Sequence, residues 1–173
     1  MGQRMAAERS WKQGDIAFSY VVHPLRKFIE IKRANYASVQ KLGELLKEAR
    51  ALSTKLKLPL RGIISGIIRG EKSEPAIVFD VDLRRETFRV NDLNLRDKHA
   101  LYTDLRTAEN AAKRLGLSHA EFTYQTTEMV GNNTLEHVTE LDLPQGWTMT
   151  KRAEVGSRGG TRKTYYLHRA APF

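Results

Sequence analysis

The fold is decided by residues 60–90, which read LRGIISGIIRGEKSEPAIVFDVDLRRETFRV. Short runs rich in β-branched and aromatic residues lie at residues 61–68, 76–82 and 87–90, and glycine, proline and charged residues separate them. Runs of this length and composition are typical of strands, and connections this short favour antiparallel neighbours. The stretch therefore predicts a three-stranded meander in the middle of the chain.

A long helix is predicted immediately before this meander. Apolar side chains repeat at steps of three and four positions over residues 39–56, and charged side chains fall mostly between them. Asn35 and Ser38 are both candidate N-caps, and Pro59 stops the helix because the residue before a proline is forced out of the α region. The pattern predicts an amphipathic helix with one face in the core.

A shorter second helix is predicted after the meander. Leucine and alanine recur at helical spacing from about Leu105 to Leu115, with Asp104 as a possible N-cap and Gly116 as a C-terminal stop. Further strands are predicted at residues 16–22 and 28–31, as a hairpin, and at 121–126. Together these elements predict an α+β protein with a largely antiparallel sheet and no internal repeat.

The last residues form the clearest local unit. Trp147–Val155 and Thr161–Arg169 alternate in polarity around the glycine-rich residues 156–160, which predicts a β-hairpin. Residues 1–13 are expected to be a flexible N-terminal arm and residues 14–143 a single α+β domain. The C-terminal basic β-hairpin at 144–173 is then either packed on that domain or projecting from it.

Positive charge is concentrated at the two ends of the chain. Residues 1–60 carry twelve Lys and Arg against five Asp and Glu, residues 61–110 carry nine of each, residues 111–150 are net −3, and residues 151–173 are net +5. Basic ends around a neutral or acidic middle suggest docking places for a polyanion. The leading hypothesis is therefore a small, non-enzymatic protein that binds nucleic acid, DNA or RNA, by its phosphate backbone.

The predicted binding residues are the cations of the terminal hairpin together with one aromatic side chain. They are Arg152, Arg158, Arg162, Lys163, Arg169 and Tyr166. A secondary basic patch is formed by Arg26, Lys27, Lys32 and Arg33. Cations neutralise phosphates and a tyrosine ring can stack on an unpaired base, so this mixture suits a nucleic-acid surface.

Two other classes of function remain open. A protein-interaction module, such as an inhibitor or assembly factor, could dock its basic face on an acidic partner. A small metal-dependent hydrolase or transferase could use Asp80 and Asp82, which lie two apart on a predicted strand and so point the same way. A catalytic set, a cofactor motif or a metal motif is not recognisable in the sequence.

Composition limits the cellular compartments in which the protein is expected. The chain has 173 residues, 40% of them hydrophobic, and contains no cysteine, which excludes disulfides and thiolate nucleophiles. Its first residues do not resemble a secretory signal and its apolar runs are short. We therefore expect a cytoplasmic protein without a membrane association.

Overall fold

The computed structural model describes residues 7–69, 76–127, 133–156 and 160–173. A four-stranded sheet has the order β1-β2-β3-β4, and a six-stranded sheet has the order β5-β6-β7-β8-β10-β9. The strands are β1 Arg9–Gln13, β2 Ile16–His23, β3 Phe28–Asn35, β4 Leu60–Arg61, β5 Ile63–Ile68, β6 Ile77–Asp82, β7 Thr87–Asp92, β8 His119–Thr127, β9 Thr148–Val155 and β10 Thr161–Ala170. The helices are α1 Val39–Leu56 and α2 Lys98–Arg114, and short 3₁₀ helices lie at Asn133–His137 and Glu140–Asp142.

The predicted α+β class and the C-terminal hairpin are confirmed. Neighbouring strands run antiparallel except for β3–β4 and β7–β8, which are parallel. Each parallel pair is connected through a helix, because parallel neighbours need a crossover that returns the chain to the same end of the sheet. In the described part of the chain, neither helix is long and apolar enough to cross a membrane.

Helix α1 follows its prediction. The Ser38 hydroxyl accepts a hydrogen bond from the Lys41 amide at 3.2 Å, which makes Ser38 the N-cap. Lys57 takes a left-handed conformation (φ 57°) and its amide bonds to the last carbonyls of the helix, so α1 ends just before Pro59.

Helix α2 begins seven residues before the predicted start at Leu105. Its N-cap is Asp97, whose carboxylate accepts from the Ala100 amide at 2.7 Å. Asp104, the predicted cap, lies within the helix and accepts from the Asn94 amide at 2.6 Å. The predicted stop at Gly116 is confirmed, with φ 67°.

The N-terminal segment is not a loose arm from Arg9 onward. Residues Arg9–Gln13 form the edge strand β1, which pairs antiparallel with β2, and Trp11 stacks on Phe18 with ring centroids 5.3 Å apart. Residues 1–6 lie outside the described part of the chain. The terminal hairpin is likewise integrated, because β10 pairs with β8 along nearly its whole length.

The structure contains a repeat that was not predicted from the sequence. Each sheet contains three antiparallel strands, followed by a helix and a strand parallel to the third, in the same chain order; β9 and β10 extend the second sheet. The landmarks recur 59 residues apart (97 − 38 = 59): N-caps Ser38 and Asp97, left-handed turn residues Lys27 and Glu86, and bulges at Ser19/Tyr20 and Val78/Phe79. The expectation of no internal repeat is therefore wrong at the level of topology.

We call β1–β4 with α1 the first unit and β5–β10 with α2 the second unit. One hydrophobic core joins the two units. Leu42 and Leu46 of α1, Leu101 and Leu105 of α2 and Phe88 of β7 belong to the same buried cluster. The helices thus cover one face of the sheets. The opposite face carries the polar alternate residues of each strand, and we call it the open face.

Candidate nucleic-acid interface

The predicted alternation of the terminal hairpin is confirmed. Tyr165 and Leu167 are buried in the core, whereas Tyr166 and His168 lie on the open face. The register continues this open face across the sheet, since His168 pairs with Glu121 on β8 and Glu121 pairs with Arg89 on β7. A continuous row of polar side chains therefore crosses the six-stranded sheet.

Glu121 is the centre of this row. Its side chain is 3% exposed, and its carboxylate accepts two hydrogen bonds from Arg85, at 3.0 and 3.2 Å, and one from Arg89 at 3.2 Å. The Tyr166 hydroxyl donates a fourth at 2.7 Å. Burial opposes ionisation of Glu121, but the donors outweigh burial and hold its pKa below the ordinary value.

Aromatic rings line up beside this carboxylate. The Tyr166 and His168 rings are nearly parallel with centroids 5.8 Å apart, and His168 stacks on His119 with ring nitrogens 3.0 Å apart. Burial and the bond to Glu121 raise the pKa of Tyr166 to about 12, so this tyrosine is a hydrogen-bond donor and not a base. Burial and then the neighbouring His119 lower the pKa of His168, which keeps the imidazole neutral near pH 7.

A cleft lies between this row and the outer edge of the sheet. Its volume is about 360 Å³, and it is lined by hydroxyl, amide and charged side chains of β8, β9 and β10, namely Thr123, Gln125, Thr150, Arg152, Glu154, Arg162, Thr164 and Tyr166. The Arg152 side chain is 73% exposed and 3.9 Å from Glu154, and Arg162 is exposed. Among the described residues, no carboxylate lies within ion-pair distance of the Arg162 guanidinium. The cleft thus offers the guanidinium donors of Arg152 and Arg162 and several uncharged hydrogen-bonding groups, together with one carboxylate, that of Glu154, beside Arg152.

The remaining predicted hairpin cations do not line this cleft. Lys163 lies on the opposite face of β10 and forms an ion pair with Glu136. Arg169 also lies on that face, where it bonds to Glu109 at 3.4 Å and packs over the Phe173 ring. Arg158 lies outside the described residues. Of the predicted hairpin residues that the structure describes, Arg152, Arg162 and Tyr166 line this cleft together.

The secondary basic patch lies on the other sheet. Arg26 and Lys27 occupy the β2–β3 turn, and Lys32 and Arg33 lie at the β3 bulge; the side chains of all four are exposed. Lys32 approaches Glu30 at 3.4 Å. This patch is separated from the cleft by the width of several strands.

Asp80 and Asp82, proposed for metal chemistry, are both engaged by neighbouring side chains. Asp80 accepts from the Ser65 hydroxyl at 2.5 Å and from Asn91 at 2.8 Å, and Asp82 contacts Arg89 at 3.5 Å. Within the described ranges no group of three or more histidines, aspartates or glutamates could hold a metal ion. Both carboxylates thus belong to the network of polar side chains on the open face.

The sequence analysis missed the central residues of the site, Arg85, Arg89, Glu121 and His119. Alternation along the predicted strands does place Arg89 and Glu121 on the polar side. Their meeting depends on the parallel pairing of β7 with β8, which the sequence does not specify. The sequence therefore predicts that Arg89 and Glu121 lie on the polar face, but it does not predict that they contact each other.

Comparisons of the chain with protein-family models, with curated proteins and with solved structures found no match. The function must therefore be argued from the surface itself.

Proposed function

We propose that the protein binds single-stranded nucleic acid on the open face of the six-stranded sheet, at the cleft between β8, β9 and β10. The observation that carries this proposal is the pair Arg152 and Arg162 at the rim of the cleft, exposed on the same side of the sheet as Tyr166. Guanidinium groups bind phosphate oxygens with paired N–H donors, and they carry no sequence preference when they do so.

The cleft supports an unpaired strand better than a duplex. Threonine hydroxyls and the Gln125 amide can donate to and accept from the edges of a base, and the Tyr166 ring borders the same space. The bases of a duplex are stacked inside the helix, so they do not reach groups that lie in a cleft of about 360 Å³ on a sheet. In this mode of binding an unstacked base enters the cleft and contacts its hydroxyl and amide groups. The flanking phosphates bind the guanidinium groups of Arg152 and Arg162.

The test compares two variants that lose the same charge. Arg152→Ala/Arg162→Ala removes the cations at the cleft, whereas Arg106→Ala/Arg114→Ala removes two exposed arginines from α2, on the helix-covered side. Fluorescence anisotropy with labelled single-stranded DNA and RNA should show weaker binding for the first variant only. Its slope of log affinity against log salt should flatten by about 1.4, because each lost phosphate contact changes the slope by about 0.7.

Equal losses for the two variants would mean that binding depends only on net charge, and the cleft would then be rejected as the site. A stronger affinity for duplex than for single strands would reject the choice of ligand. The circular dichroism spectra of both variants should match the wild type, because exposed arginines contribute little to stability.

A second candidate function, docking of an acidic protein, is favoured by an apolar stripe on the same face. Ile63 and Ile67 of β5 are 57% and 56% exposed, and Val78, which pairs with Ile67, is 36% exposed. Exposed aliphatic side chains that lie together on a surface often mark a protein interface. The ratio of absorbance at 260 and 280 nm of purified protein, before and after a high-salt wash, separates the two candidates, because only a nucleic-acid binder loses 260 nm absorbance.

A further inference from the structure

The repeat leaves an equivalent face of the four-stranded sheet uncovered. The turn residues Arg26 and Arg85 are 59 positions apart (85 − 26 = 59) and therefore occupy matching places in the two units. Across the parallel pair of each unit, Glu30 is registered with Arg61 and Arg89 with Glu121. In the first unit the glutamate lies on β3 and the arginine on its parallel neighbour β4. In the second unit the arginine lies on β7 and the glutamate on its parallel neighbour β8.

This exchange changes the charge around the turn arginine. In the second unit the guanidinium of Arg85 is bonded to the buried carboxylate of Glu121. In the first unit the place of that carboxylate is taken by Arg61, a second cation. Arg26 and Arg61, two cations, therefore occupy the places that the ion pair of Arg85 and Glu121 occupies in the other unit.

Both guanidinium groups of the first unit lie on the same aromatic ring. The carbon of Arg61 is 4.4 Å and that of Arg26 is 5.9 Å from the centroid of Phe28, which is 6% exposed. Guanidinium stacked on a ring keeps its N–H edges available for an anion. The carboxylate of Glu30 is already bonded by His23 at 3.3 Å and Lys32 at 3.4 Å, and in the described part of the chain neither Arg26 nor Arg61 forms an ion pair.

We propose that Arg26 and Arg61, with Lys32 and Arg33 beside them, form a second phosphate subsite, and that one single strand of nucleic acid spans both units. The inference rests on the proposed function at the cleft and extends it to a two-part surface. Like charges brought together on a sheet repel each other, and a phosphate between them removes that repulsion.

The distance between the subsites sets the length of strand that is needed. The residue run 60–68 contributes β4 to one sheet and β5 to the other, so β3 and β10 are separated by about five strand spacings, or about 25 Å. A strand of about 4 nucleotides covers one subsite, and a strand of about 16 nucleotides can cover both. Linking the two contacts should raise affinity at least about tenfold for the longer strand.

The experiment uses oligothymidylates of about 4 and about 16 nucleotides with the full chain at low salt. Calorimetric titration of the wild type should give two short strands or one long strand per chain. Arg26→Gln/Arg61→Gln, which removes both charges and leaves polar side chains at both positions, should bind one short strand and lose at least about tenfold in affinity for the long strand. Arg26→Lys/Arg61→Lys should recover part of that affinity, since lysine restores the positive charge but not the paired N–H donors or the stacking on Phe28.

The outcomes separate the inference from the proposed function. If Arg26→Gln/Arg61→Gln keeps wild-type affinity for the long strand while Arg152→Ala/Arg162→Ala loses it, the second subsite is refuted and the cleft remains. A loss confined to the Arg26 and Arg61 variant refutes both the cleft and the spanning strand. Absence of binding of either oligothymidylate by the wild type refutes the two proposals together. A lysine variant that binds the long strand no more tightly than the glutamine variant also refutes the subsite, because a phosphate site must respond to the restored positive charge.

Discussion

Glu121 shows how one residue links stability to the chemistry of the open face. Its carboxylate is buried, yet Arg85, Arg89 and Tyr166 satisfy it with four hydrogen bonds. Removing one partner of a buried ionic group leaves the others unpaired, which is costly. We expect Glu121→Gln to lower the free energy of unfolding by about 1.5 to 3 kcal/mol in urea titrations at pH 7, because the Arg85 and Arg89 side chains are half and one third exposed and can still be solvated.

The same residue predicts a pH dependence. The pKa of Glu121 is lower in the folded chain than its ordinary value, so its stabilising effect is complete above about pH 4.3 and is lost as the pH falls through the folded value. The stability difference between wild type and Glu121→Gln should therefore shrink below about pH 4. Glu154→Gln, on the exposed edge strand, is the control and should change stability by less than about 0.5 kcal/mol at either pH. A difference that stays constant down to pH 2 would show that Glu121 contributes only by its shape.

At the residue scale, alternation predicts which way a side chain points but not what it meets. It placed Arg152, Arg162 and Tyr166 on one face, as found. It did not predict that Lys163 binds the Glu136 carboxylate, 27 positions away, or that Arg169 binds the Glu109 carboxylate, 60 positions away. Such partners depend on the packing of distant elements, so the anion-binding surface of the hairpin is smaller than its cation count suggests.

At the element scale, local patterns missed both the repeat and the true start of α2. Positions 59 residues apart agree in apolar character in the strands, as at Ile29 and Phe88, and some are identical in the helices, as at Leu42 and Leu101. Similarly, the first turn of α2 after Asp97 contains the polar residues Lys98 and His99, so the apolar periodicity becomes visible only later. Local patterns define the type of an element better than its boundaries.

Gly62 lies where the backbone conformation and a neighbouring strand both disfavour a side chain. It joins β4 to β5 with φ 125°, and a Cβ atom there would lie 2.6 Å from the Ile31 carbonyl oxygen. Gly62→Ala should therefore lower the free energy of unfolding by about 3 kcal/mol or more, because strain and a backbone clash act together. Gly14→Ala is the matched control, since Gly14 has φ 61° with nothing within 4 Å of a Cβ, and about 1 kcal/mol is expected. Equal losses in chemical denaturation would show that the close approach to β3 has no energetic effect.

At the scale of the whole molecule, the two units behave as parts of one structure. Arg50 of α1 donates to the Leu115 carbonyl at the end of α2 at 2.7 Å, and Gly43 of α1 lies beside the Arg114 backbone. The buried cluster runs without a break from β2 to β10. A surface that spans both units is therefore held in one fixed geometry, which a two-part binding site requires.

This continuity predicts a single cooperative unfolding transition, and the two tryptophans of the chain can report on it. Trp11 belongs to β1 at the outer edge of the first unit, whereas the buried Trp147 precedes β9 at the far end of the second. In Trp147→Phe only Trp11 remains, and in Trp11→Phe only Trp147 remains. For each variant, the urea midpoint from tryptophan fluorescence should coincide with its own midpoint from far-ultraviolet circular dichroism, because both units share one core. Using each variant as its own reference removes any change in stability that the substitution itself causes. A Trp11 signal that changes at lower urea than the circular dichroism of the same protein would show that the first unit unfolds alone, and the shared core would then not be what fixes the two sheets together.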